Sequence, residues 1–147
     1  VCLSGDLSKH LSGFQTETIK IAICRFSNAS SNYISEAEKQ WMGTYFPNSI
    51  IRQCGVYSFA NTETVRDFFE IVYAEWLRFK KVDQPAFSRA LTIAPMVIDE
   101  LPVKFNFPYP WLSLENLAIF DPVIMHVLGS SIENGKYFEV AKQFTGE

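Results

Sequence analysis

Hydrophobic positions recur at helical spacing most clearly over residues 61–81, NTETVRDFFEIVYAEWLRFKK. On a helical wheel of about 100° per residue, Val65, Phe68, Phe69, Val72, Trp76 and Phe79 share about 100° of arc. Arg66, Asp67, Glu70, Arg78 and Lys81 fall outside it. This is the stripe of a helix that faces a core. Asn61 or Thr62 can accept a backbone N–H at the start, and Glu63 suits the positive end of the helix dipole. Lys80 and Lys81 suit the negative end. Tyr73 and Leu77 carry the apolar surface round to one flank, where a partner or a second copy could dock.

The rest of the chain alternates between helical and strand-like patterns. Leu3, Leu7, Leu11 and Phe14 predict a short N-terminal helix. Residues 16–26 are rich in Thr and Ile, with Ile19, Ile21 and Ile23 at period two, which predicts a strand. Residues 27–35 form a polar loop. Ser35 with Glu38 three positions later has the spacing of a capping box. The helix that follows carries Ala37, Trp41, Met42, Tyr45 and Phe46 and stops at Pro47. Residues 49–60 predict a second strand, with Gly55 at a bulge or bend.

Two readings compete over residues 86–98. In one, Asp83 caps a helix with Pro85 in its first turn, Phe87, Ala90, Leu91 and Ala94 inward, and Pro95 at its end. In the other, residues 91–98 are an edge strand that tolerates a proline. Val103, Phe105 and Phe107 alternate as in a short strand. Residues 107–112, FPYPWL, read as a proline–aromatic loop, and Ser113 as the cap of the helix LENLAIF. Asp121-Pro122 is expected to restart a helix through Leu128, and Asn134-Gly135 is a turn before a last helix over residues 136–144. The pattern thus predicts one α+β domain over residues 1–147, helix-rich, with a small sheet from 18–26, 50–59 and 103–107, which 91–98 would join on the strand reading. The alternative is an all-α bundle in which 5–26 and 86–98 are helical.

Composition narrows the class. A chain of 147 residues can close a core without metal or disulfide. Its aromatic content of 15%, with 13 Phe, implies bulky packing. A net charge of −3, with no basic run longer than Lys80–Lys81, argues against nucleic acid and anionic membrane as partners. No apolar run reaches the ~18 residues of a membrane span, which predicts a soluble protein. The three cysteines, Cys2, Cys24 and Cys54, are odd in number and lack C-x-x-C spacing, so reduced thiols and a cytoplasmic setting are expected. A start at Val rather than Met implies a processed terminus or a piece of a longer chain.

Candidate chemistry is sparse. Asp6 and His10 are four apart but no third metal ligand is evident, so neither a metal nor a cofactor is expected. His126, in an apolar segment, is the one candidate general base, although a hydrogen-bonded core histidine is the ordinary reading. There is no nucleophile elbow and no glycine-rich phosphate loop. The expected binding residues are therefore Tyr109 and Trp111 in the 107–112 loop, with Tyr73 and Leu77 on the helix flank. The reading is a non-catalytic interaction domain that binds a protein, such as an acidic antagonist or immunity-type protein. The alternative is a small enzyme or ligand-binding protein with an aromatic-lined pocket and His126 as its polar group.

Overall fold

The computed structural model describes residues 7, 18–22, 34–52, 54–108, 110, 112–127, 134–135, 138–139 and 141–142. Their order is β1 (Thr18–Ala22), α1 (Glu36–Tyr45), β2 (Tyr57–Phe59), α2 (Glu63–Phe79), α3 (Asp83–Ile93), β3 (Val97–Leu101), a 3-10 turn (Val103–Asn106), β4 (Phe107–Pro108), α4 (Leu114–Phe120) and β5 (Met125–His126). The fold is α+β and helix-rich, as the pattern predicts. Residues 138–139 and 141–142 are also helical, beyond a turn at Asn134-Gly135 in which Gly135 adopts φ 77°.

The larger sheet has the order β2-β1-β3. β1 is antiparallel to β2, with Ile19 opposite Phe59 and Ile21 opposite Tyr57. It is parallel to β3, with Ile19 opposite Ile98 and Ile21 opposite Glu100. Ile19 and Ile21 point to one face, as alternation requires, and both are fully buried. Phe68 of α2 and Phe87 and Ala90 of α3 close over them. The rings of Tyr57, Phe68, Phe69 and Phe87 meet edge-on or tilted, with centroids 5.4–6.4 Å apart, as aromatic quadrupoles favour. A second cluster joins Leu101, Phe105 and Val123, and a third joins Phe107, Met125 and Val127 beneath Leu117 and Phe120 of α4.

The all-α alternative fails at residues 18–22, which pair on both edges. Over 86–98 each reading holds for its own part: the chain is helical to Ile93 and re-enters a sheet at Val97. Asp83 lies inside α3 rather than capping it; Val82 holds the cap position without a side-chain hydrogen bond. Residues 103–107 do not join the main sheet. They make a 3-10 turn and then β4, which pairs in parallel with β5 in a separate two-stranded sheet. The restarted helix is likewise absent over the described residues 122–127. Val123, Met125 and Val127 are buried at period two, because pairing of β5 with β4 gives their backbone a ladder and their side chains a core. Apart from Leu7, the predicted N-terminal helix lies outside the described residues, as does the loop over 27–33.

Candidate functional site

Helix α2 owes its shape to both of its ends. Thr62 Oγ1 accepts the Val65 N–H at 3.3 Å, and Lys80 closes the helix in the left-handed region (φ 52°) with its N–H on Trp76 O at 2.8 Å. Between these ends three arcs of the helix are covered. Phe69 packs on Tyr57 and Phe59 of β2. Phe68 packs on Phe87 of α3. Glu75 and Arg78 face α3 and α1 through polar contacts.

Those polar contacts form a buried cluster. Arg89 of α3, fully buried, donates from Nη1 to Glu38 Oε1 (2.6 Å) and from Nε to Glu75 Oε2 (2.8 Å). Its Nη2 donates to the Glu75 backbone carbonyl (2.9 Å), and its guanidinium lies 5.1 Å from the Phe79 ring centre. Arg78 holds the other oxygen of Glu75 at 2.8 Å and sits 5.7 Å from the Trp41 ring centre. One guanidinium fork therefore joins α1, α2 and α3. Sequence reading missed all three partners, since a wheel places Glu75 at the edge of the core arc and assigns Glu38 to the cap. Ser35 Oγ does accept the Glu38 N–H (3.2 Å), but the Glu38 carboxylate turns to Arg89, so the reciprocal half of the capping box is not made. Among the described residues, Glu38 Oε2 and Trp41 Nε1 are buried without a hydrogen-bond partner.

The remaining arc of α2 is open. Glu63, Arg66, Asp67, Glu70, Tyr73, Ala74 and Leu77 are all exposed along it. Tyr73 is 56% and Leu77 42% exposed. Tyr73 is not loose: its ring stacks on Trp76 with centroids 6.0 Å apart and an interplanar angle of 19°. Trp76 is fixed in turn by its Nε1–H, which donates to Lys81 O at 3.1 Å. An aromatic platform held in place before binding loses little entropy on contact. Two of the four expected binding residues thus sit together on one helix flank. Tyr109 and Trp111 lie outside the described residues; the adjoining Phe107 and Pro108 are buried in β4.

His126 lies on β5, beside the Phe107–Met125 cluster and half-buried. Its Nδ1 is 2.6 Å from Asn106 Oδ1. With the carboxamide oxygen facing the ring, Nδ1 is the donor. Asn106 is fully buried and orients the imidazole; Asp121, the nearest acid in sequence, does not hold it. Burial lowers the His126 pKa below the ordinary 6.5. Cys54 lies in the segment before β2, not in a strand, and donates to Arg52 O at 3.3 Å. Its burial pushes the thiol up to about 12, the environment of an unreactive thiol. Cys2, Cys24 and the Asp6–His10 pair lie outside the described residues.

A groove of roughly 210 Å³ runs beside α1, between Ile34, Met42, Phe46 and Ile51. Small-molecule sites usually occupy about 300–1,000 Å³. The groove is smaller, and His126 does not line it. Compared with protein-family models, with curated proteins and with solved structures, the chain matches none.

Proposed function

We propose that this protein is a non-catalytic interaction domain that binds a protein through the open flank of α2. One observation carries the reading: Tyr73 and Leu77 are exposed side by side on a helix that is otherwise packed against β2, α3 and α1. The Tyr73–Trp76 stack gives this flank a rigid aromatic centre, the kind of residue that dominates binding energy at interfaces. Flanking charges on the same arc would form the polar rim.

The test is a pull-down from the native host with wild type, Leu77→Glu and Tyr73→Ala, each checked for unchanged circular dichroism. A partner retained by wild type should be lost or weakened about 30-fold by either substitution, the loss of about 2 kcal/mol typical of a hot-spot residue. Equal retention by all three proteins would remove this flank as the binding surface.

A further inference from the structure

The open flank of α2 has a charge order that is complementary to itself. Along it, Glu70, Tyr73 and Leu77 follow at spacings of three and four, the seam spacing of paired helices, and Lys80 and Lys81 follow at the cap and just beyond it. Acid lies toward the N-terminal end, the apolar pair is central, and Lys80 and Lys81 close the C-terminal end. Among the described residues, the side chains of Glu70, Lys80 and Lys81 make no ion pair, and all three are exposed. The other basic residue of the flank, Arg66, is already held by Asn61 Oδ1 at 2.9 Å.

From these features we infer that α2 binds a second copy of this chain, antiparallel, across a two-fold axis passing between Tyr73 and Leu77. The inference rests on the reading of this flank as a binding surface and specifies its partner. Turning α2 end for end about that axis sets Tyr73 of each copy against Leu77 of the other. The same rotation brings Glu70 of each copy to Lys80 and Lys81 of the other. A two-fold interface needs such a self-complementary patch. A parallel pair would instead face Glu70 with Glu70 and lysines with lysines. Glu70 and Lys80 lie about 15 Å apart at 1.5 Å per residue, so each copy contributes about three turns. An interface of that length falls at the small, reversible end, below about 1,200 Å² in total. The dimer therefore forms and separates with concentration, and Ala74 beside the apolar pair lets the two backbones approach.

A charge swap tests the arrangement. Sedimentation equilibrium is run from low micromolar to submillimolar protein on wild type, on Glu70→Lys, on Lys80→Glu/Lys81→Glu, and on an equimolar mixture of the two variants. Wild type should dimerise, each variant alone should self-associate at least tenfold more weakly, and the mixture should recover wild-type association. In the mixed pair both contacts join opposite charges, because position 70 of one copy faces positions 80 and 81 of the other. A wild-type chain that stays monomeric at the highest concentration overturns the inference. So does a mixture no stronger than its components. If the chain is monomeric and Leu77→Glu still abolishes capture of a different protein, the homodimer fails while the binding surface stands. If Leu77→Glu alters neither self-association nor capture, both fail.

Discussion

Arg89 is a charged residue in the middle of a helix, a position that reads as solvent-facing until its surroundings are known. Here the guanidinium is fully enclosed and spans two carboxylates that lie 51 and 14 residues away in sequence. Replacing it by Met leaves Glu38 buried without its counter-charge and Glu75 with Arg78 alone. Loss of one partner from such a buried group costs about 3–5 kcal/mol, so urea denaturation of Arg89→Met should show a loss of that size. Arg89→Lys should also destabilise, since a point charge cannot hold two carboxylates and a carbonyl with a planar fork. A change below about 1 kcal/mol for Arg89→Met would mean that the network contributes little. Among the described residues Glu38 Oε2 remains without a hydrogen bond, so the cluster is better understood as fixing which helices meet than as maximal stabilisation.

His126 gives a second prediction at this scale. Burial lowers its pKa in the folded chain below the ordinary 6.5. The unfolded chain therefore binds the proton first as pH falls. Stability should be flat above about pH 6.5 and should decline below it until the folded histidine also protonates. His126→Gln should remove that component of the slope, read as the change in thermal midpoint between about pH 7 and about pH 5.5. An identical slope in both proteins would show that His126 does not titrate differently on folding. Neither the lowered pKa nor the Asn106 contact was legible in sequence, because Asn106 stands 20 residues earlier and meets His126 only when β4 pairs with β5.

At the scale of elements, legibility followed the locality of the forces. Helix α2 was readable because its stripe lies within its own 17 residues and its caps and dipole charges lie within or immediately beside them. Thr62→Ala should cost about 1 kcal/mol in denaturant melts, the usual worth of a side-chain cap, and Thr62→Ser should keep most of it. The helices capped by Ser35 and Ser113 were readable for the same reason. The two-residue strands β4 and β5 were not. Phe107 and Met125 have no local reason to be extended; their pairing supplies it. Asp121-Pro122 has the composition of a helix start, yet Asp121 adopts φ 44° as the C-cap of α4 and the chain then extends. There the gain from burying Val123, Met125 and Val127 outweighs a weak local preference.

Across the whole molecule, β1 is the organising strand. It is central in the sheet, and its two isoleucines sit at the bottom of the aromatic core. Its amides should therefore be among the slowest to exchange with solvent. Those of α4, which buries no residue, should exchange much sooner by local opening. Hydrogen exchange followed by mass spectrometry would check this, and equal protection of the two segments would contradict the assignment of β1 as the stability core. The helix prominent in the sequence covers this strand with α3 and leaves one flank to solvent. None of its helices among the described residues is long and apolar enough to cross a membrane.

The sequence by itself favoured the α+β class over an all-α bundle, and it located the boundaries of α2 to within a residue or two, its cap at Asn61 or Thr62, the caps at Ser35 and Ser113, and the apolar flank of Tyr73 and Leu77. These depend on period, capping chemistry and composition, which act over a few residues. Only the tertiary structure decided the sheet order, the separate β4–β5 pair, the burial of Arg89 between two acids, and the Asn106–His126 contact. Each of these depends on groups far apart in the chain. Their energies arise from desolvation and hydrogen bonding that exist only once the segments meet.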